Sequence, residues 1–298
     1  MLNCTLKVTD AFLHVQKAIY IPTFILGVLG NIYVFVIFCR RPRTDWTYMM
    51  VYISNMAIAD CVLLVILPIK AHYYNSTLQE HSKSTCNFLL SLYYVNMYVS
   101  VFTMTTVSVV RYVAIAFPLK AREAFSCKRA LVVCALIWLV VGGFSPVYFL
   151  KDSDNDKAMC FQRVKETLSL HFIVLLTVVG FLVPLLIMLY CSIKVIYTLR
   201  KQLDVGFRSE KIQCIFIIAA NLIVFVICFL PVNCGFVLKY IAQAHEFSCD
   251  VQFLAHNFVH GAMCLSTMNC CLDCFSYYFA TNTRWNICGI NQRNEEYE

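Results

Sequence analysis

The sequence predicts an all-α membrane protein built as a bundle of seven transmembrane helices. Three observations predict it. The 298 residues are 60% hydrophobic and only 14% charged, with a mean hydropathy of +0.69. Soluble domains are about half apolar and about a quarter charged. A soluble domain with this excess would expose large apolar patches and aggregate, whereas in lipid the outer surface has to be apolar. Second, seven mostly apolar runs are long enough to cross a bilayer, which takes roughly 20 residues of helix. Third, the basic residues gather in alternate loops.

The runs are 18–39, 48–73, 86–117, 130–150, 168–196, 212–241 and 253–279. The seventh is the weakest, diluted by His256, Asn257, His260, Asn269 and Asp273. Residues 1–17 have no charged start, unbroken apolar stretch and small-residue cleavage site, so they are read as a short hydrophilic tail rather than a signal peptide. The expected organisation is a tail at 1–17, a bundle at 18–279 and a second tail at 280–298. No repeat suggests duplicated halves.

One set of loops carries Arg40, Arg41 and Arg43, then Lys120, Arg122, Lys128 and Arg129, then Arg200, Lys201, Arg208 and Lys211. The other set mixes Lys83, Lys151, Lys157, Arg163 and Lys165 with Glu80, Asp152, Asp154, Asp156, Glu166, Glu246 and Asp250. The positive-inside rule puts the first set in the cytoplasm, so the N-terminus lies outside and the C-terminus inside. Such scattered charge does not make the dense patch that nucleic acid needs. Asn3-Cys4-Thr5 and Asn75-Ser76-Thr77 are N-glycosylation sequons, and both fall on the outer side. Of 17 cysteines, this topology leaves Cys4, Cys86, Cys160 and Cys249 at the outer face. An even number suits disulfides in an oxidising compartment, with three pairings open. The other cysteines, including the cluster Cys270, Cys271 and Cys274, read as small packing residues.

Polar residues at membrane depth are costly and usually functional. Asp60, Ser100, Asn269 and Asp273 are hard oxygen ligands suited to a small cation; the alternative is an interhelical hydrogen-bond network. Arg111 near the inner end of the third span is either a switch or an arginine reaching for the interface. Prolines 22, 68, 146, 184 and 231 lie inside spans, where each removes a backbone hydrogen bond. Towards the outer ends, Lys70 and Lys239 stand over Tyr93, Tyr94 and Met97, with Arg163, Lys165, His171 and His260 nearby. A cationic rim over an aromatic pocket suits an anionic or amphipathic ligand.

Gly30-Asn31, Asn55-Met56-Ala57-Ile58-Ala59-Asp60, Cys86, Arg111-Tyr112, Trp138, Pro184, Phe225-Val226-Ile227-Cys228-Phe229-Leu230-Pro231 and Asp273-Cys274-Phe275-Ser276-Tyr277 follow one another, helix by helix. This ordered set resembles the rhodopsin-like (class A) G-protein-coupled receptors over essentially the whole chain. The segments Ile21-Pro22-Thr23-Phe24, Met97-Tyr98-Val99-Ser100-Val101-Phe102-Thr103, Phe229-Leu230-Pro231-Val232 and Asn269-Cys270-Cys271-Leu272-Asp273 are similar to the lysophosphatidylinositol and kynurenic-acid receptor group, near the purinergic branch.

The resemblance implies that Cys86 pairs with Cys160 and Cys4 with Cys249. It implies an allosteric sodium pocket at Asp60, Ser100, Asn269 and Asp273, with no other cofactor. Arg111, Tyr112 and Tyr277 are implied to engage the G protein, and Phe225 and Phe229 to transmit the switch. Trp285 and Cys288 are implied to lie on a short amphipathic eighth helix, with Cys288 a palmitoylation candidate. The implied partners are membrane lipid, a lysolipid or other anionic ligand, a heterotrimeric G protein of the G12/13, Gi or Gq class, and arrestin. The tail beyond Phe279 holds only Thr281 and Thr283, so its phosphorylation should contribute little.

Departures from the pattern are Val110 for the usual acid, Phe229 for the usual tryptophan and Cys274 for the usual proline; Ser192 takes the place of a tyrosine, found instead at Tyr190. A constitutively active receptor, or one taking a nucleotide, is the alternative. A transporter would need a continuous polar path, and a membrane enzyme a nucleophile–base pair at one depth. A retinal pigment would need a lysine in the seventh helix, which is absent.

Overall fold

A computed structural model of the chain describes residues 10–40, 42, 46–73, 83–149, 170–201 and 208–274. Their elements are α1 (Asp10–Arg40), α2 (Tyr48–Tyr73), α3 (Lys83–Ala116), α4 (Pro118–Ala124), α5 (Cys127–Phe149), α6 (Leu170–Thr177), α7 (Val183–Lys201), α8 (Arg208–Ala244) and α9 (Cys249–Thr267). A π-helical turn, Val178–Leu182, joins α6 to α7, so that Leu170–Lys201 is one span.

Six helices among the described residues are long and apolar enough to cross a membrane. The seventh span of the bundle is α9, continued after a turn at Met268 by helical residues 269–274. Its low apolarity has a packing cause. Gln252, His256, His260, Ser266 and Thr267 are buried, because α9 closes the bundle against α8 and α1. The helices pack in sequence, α1 on α2, α2 on α3, α7 on α8 and α8 on α9, while α3 runs through the middle and also touches α5 and α7.

Most helices present apolar residues on both faces. On α5, Ala130, Cys134 and Val141 are buried, while Leu131, Val132, Leu136 and Leu139 are exposed. A soluble helix would put polar residues on that second face; here the outer face is fit for hydrocarbon.

Three details differ from the sequence expectation. Helix α1 begins at Asp10, so part of the tail placed at 1–17 is helical. Among the polar residues that lowered its hydropathy, Gln16 is buried and donates from Nε2 to the Tyr20 hydroxyl at 2.9 Å. Second, α4 is a short helix no hydropathy reading finds; Pro118 starts it with a preset φ. Third, the fifth span bulges. Pro184 has no N–H to close the regular ladder, and just before it Val183 donates to the Val178 carbonyl, five residues back. Such bulges relieve a proline's strain within a continuing helix.

Candidate functional site

The outer half of the bundle holds a buried lysine. Lys70, in the last turn of α2, is 2% exposed. Its Nζ lies 3.8 Å from the centroid of the Tyr93 ring and 5.6 Å from that of Tyr20. Both distances are within cation–π range. Tyr93, on α3, is fixed at its far end: its hydroxyl donates to the Met263 carbonyl on α9 at 3.0 Å and lies 3.2 Å from Ser266 Oγ. The lysine therefore sits among α1, α2 and α3 on a ring that α9 holds in place.

Lys239 on α8 adds a second positive charge to this region, and α9 brings the two buried imidazoles of His256 and His260 beside it. The ring centroids of His256 and His260 are 4.4 Å apart, as four-residue spacing on a helix allows. The fields of Lys239 and Lys70 both reach His260, and that of Lys239 reaches His256. Neither ring nitrogen of the fully buried His256 has a hydrogen-bond partner among the described residues. His256, which the sequence-predicted ligand set did not include, is buried beside His260, which it did; the four-residue helical spacing was the available signal. Tyr94 packs edge-on to Tyr93 at 5.7 Å and against Phe236 at 6.2 Å. Met97 lies deeper, in the wall of a second, polar cavity.

That cavity, of about 10 Å³, has room for about one water-sized particle. Asp60, Ser100 and Asn269 line it, together with Asn96, Tyr93, Met97 and Phe229. Asp60 Oδ2, Asn96 Oδ1 and Asn269 Oδ1 are buried with no hydrogen-bond partner among the described residues. Unpaired buried oxygens are expensive, and a small hard cation would satisfy all three. Asp273 stands behind the wall rather than in it, and its Oδ2 accepts from Asn269 Nδ2 at 2.8 Å. The residues thus fit sodium, with Asp273 orienting a ligand. Asn96, absent from the sequence-predicted set, lies one helical turn from Ser100 on α3.

Below the cavity runs an aromatic column. Phe229 packs on Phe225 at 5.2 Å, and Phe225 stacks on Phe181 of the π-turn at 5.9 Å with the rings almost parallel. At the inner end Arg111 is buried, and its neighbour Val110 is also buried. Tyr112 meets Tyr190 edge-on at 5.8 Å, so the displaced tyrosine of the fifth span contacts Tyr112.

Each clustered thiol donates to a backbone carbonyl: Cys270 to Thr267, Cys271 to Thr23 and Cys274 to Cys270. Cys86 and Cys249 are each half of a disulfide. So is Cys214 on α8, which the sequence reading took for a packing residue. Cys4, Cys160, Arg163, Asn3, Asn75, Tyr277 and Cys288 lie outside the described residues.

The family model for the 7 transmembrane receptor (rhodopsin family) matches residues 30–277. The chain belongs to this family. The receptor is 35% identical over 289 residues to human G-protein coupled receptor 55, covering 94% of this chain and 89% of that one. It is 30% identical over 278 residues to human lysophosphatidic acid receptor 6, covering 88% and 79%. Human G-protein coupled receptor 35 is 32% identical over 258 residues, covering 86% and 80%. The receptor is therefore a multi-pass membrane protein of the G-protein-coupled class, in a family of receptors rather than enzymes.

Proposed function

We propose that this receptor sits in the plasma membrane with its N-terminus outside, binds an anionic, lipid-like ligand in its outer half, and activates a heterotrimeric G protein. The observation that carries the ligand class is Lys70: a lysine 2% exposed, held 3.8 Å from the Tyr93 ring centroid. A ligand anion at that ammonium would make a charge-assisted hydrogen bond. Lys239 extends the positive field over the same region, beside the imidazoles of His256 and His260. The kinship to lysophosphatidic acid receptor 6 supports a lysophospholipid, and a small organic acid offers the same charge.

The ligand favours a state in which the inner ends of α7 and α8 move outward. The column from Phe181 through Phe225 to Phe229 links the two helices at mid-depth. Arg111 and Tyr112 then meet the G protein, of the G12/13, Gi or Gq class, and arrestin follows. Sodium at Asp60, Ser100, Asn96 and Asn269 stabilises the resting state, supported by their three unpaired oxygens.

G-protein dissociation would be measured in cells expressing the chain, with lysophosphatidylinositol, lysophosphatidic acid and kynurenic acid as probes. The expected result is a response lost in Lys70→Ala and kept in Arg163→Ala at matched surface expression. A response unchanged by Lys70→Ala would overturn the assignment of the anchor.

A further inference from the structure

The inner end of the bundle gathers buried positive charge. Arg111 is 6% exposed and lies five residues before α3 ends at Ala116, about 8 Å along the axis. Lys211 is 8% exposed and lies three residues after α8 starts at Arg208, about 5 Å along it. The basic loops orient both ends towards the cytoplasm, so the two cations stand at similar depth. The ends pack together: Val110, Val195, Leu199 and Cys214, from α3, α7 and α8, belong to one apolar cluster. Val110 is itself buried, so the residue that precedes Arg111 brings no negative charge to it. Two buried cations at one end mark a surface suited to an acidic partner.

Acids on this side of the membrane are scattered except in one place. Asp45, Glu123, Asp204 and Glu210 are spread over the three inner loops, whereas residues 294–298 hold Glu295, Glu296 and Glu298 within five positions. These glutamates lie beyond Cys274, the last of the described residues. Twenty-one positions separate Glu295 from Cys274, and that length of chain reaches up to about 70 Å when extended. A helix is about 10–12 Å across, so the segment can reach any point of the inner face. A segment tethered this closely is held at roughly millimolar effective concentration. A contact too weak to join separate molecules therefore forms within one chain.

We infer that the acidic segment 294–298 docks on the inner mouth of its own receptor, its glutamates pairing with Arg111 and Lys211 in place of the carboxylate that Val110 does not supply. The chemistry fits from each side. A guanidinium takes a carboxylate through two parallel hydrogen bonds, and an ammonium takes one as a point charge. A segment that engages both cations ties α3 to α8 at the end where α8 has to move outward, and it covers the surface that a G protein would use. It is a built-in restraint on ligand-free signalling. That consequence rests on the coupling proposed above; the contact itself does not.

The contact is tested by zero-length crosslinking of the full chain, without ligand or G protein, in nanodiscs holding one receptor each. A carbodiimide joins a carboxylate to an amine in direct contact, with loss of water, and the joined peptides are read by mass spectrometry. Chance collisions favour exposed lysines such as Lys128 and Lys201. The expected result is the opposite: residues 294–298 joined to the buried Lys211 several-fold more than to either. A yield at Lys211 no greater than at Lys128 and Lys201 overturns the proposal. The restraint is tested in cells at matched surface expression. The triple variant Glu295→Gln, Glu296→Gln and Glu298→Gln should raise basal G-protein dissociation several-fold. In a Val110→Asp background, where a carboxylate already stands beside Arg111, the same three changes should raise it less. Basal signalling unmoved by the triple variant overturns the restraint. The crosslink needs neither ligand nor transducer, so its failure is read separately from failure of the Lys70 anchor or of the coupling.

Discussion

Lys70 and Tyr93 form a buried pair in which the ammonium lies 3.8 Å from the ring centroid, while the ring's hydroxyl is tied to α9 through the Met263 carbonyl. The pair couples three helices through one charge. Desolvated cation–π contacts are worth about 2 kcal/mol, and a ligand anion at the lysine would add a charge-assisted bond. Lys70→Ala is expected to weaken the lysophospholipid response about 30-fold, or about 2 kcal/mol. Tyr93→Phe keeps the ring and removes only the hydroxyl, so it should cost stability more than potency. Concentration–response curves at matched surface expression check both. Equal loss of potency in the two variants would mean that Tyr93 orients the site through its hydroxyl.

A second network spans the middle of the bundle. Trp138 Nε1 donates to Asn55 Oδ1 at 2.9 Å, and Asn55 Nδ2 donates to Thr103 Oγ1 at 2.9 Å, joining α5, α2 and α3. Thr103 donates in turn to the Val99 carbonyl. Trp138→Phe keeps the aromatic bulk but strands the Asn55 oxygen, which should cost about 1–3 kcal/mol. Thermal unfolding of the purified receptor should show a lower Tm for Trp138→Phe. Asn55→Leu removes the stranded oxygen, so adding Trp138→Phe to it should cost less than Trp138→Phe does alone. Additive losses would show that the hydrogen bond contributes nothing.

The fold was legible because a bilayer imposes it: backbone polar groups must be satisfied within each span, so apolar length alone marks helices. The seventh helix was hardest to read for the reason that makes it functional. His256, His260, Asn269 and Asp273 lower its apolarity and are all buried inside the bundle. Asp60, Ser100 and Asn269 could be grouped from their depth, yet the hydrogen bond from Asn269 Nδ2 to Asp273 Oδ2 could not be read from residue type. Met97, one turn beyond Tyr93 on α3, lines the lower cavity together with it, so the outer and lower regions share Tyr93.

Sodium sensitivity gives a sharp test of the lower cavity. If a cation occupies the space between Asp60, Asn96 and Asn269, agonist potency should fall as sodium replaces a large organic cation at constant ionic strength. Asp60→Asn should remove that dependence, because a neutral amide no longer offsets the ion's charge. Asn96→Leu should weaken it, since it removes one oxygen and fills the space. Potency that is independent of sodium in the unaltered receptor would rule the ion out.

At the inner end, Val110 stands beside Arg111 where an acid would otherwise restrain the guanidinium. A carboxylate next to a buried arginine would stabilise whichever state holds the two together. Val110→Asp is therefore expected to lower ligand-free signalling, several-fold for a bias of about 1 kcal/mol. Basal G-protein dissociation, compared with untransfected cells and normalised to surface receptor, measures it. A basal signal already at background, and unmoved by Val110→Asp, would falsify the idea that this end of the receptor is loosely held.

Gly30 and Cys274 make the closest helix contact whose energetics can be predicted outright. A Cβ on Gly30 would lie 2.6 Å from Cys274 Cβ and 2.7 Å from its Sγ, so α1 and residues 269–274 touch with no room for a methyl group. Asn31, the next residue, reinforces the approach by donating to the Gly27 carbonyl at 2.9 Å and reaching the Cys270 carbonyl at 3.5 Å. Gly30→Ala should push the helices apart and cost about 1–3 kcal/mol, as overpacking does. Cys274→Ala should not rescue it, because the clash includes the Cβ atom itself. Cys274→Gly removes that atom and should restore part of the stability, less the entropy of an added glycine in a helix. Thermal unfolding of the three single and two double variants decides the matter. Rescue by Cys274→Ala as complete as by Cys274→Gly would mean that the sulfur alone sets the spacing.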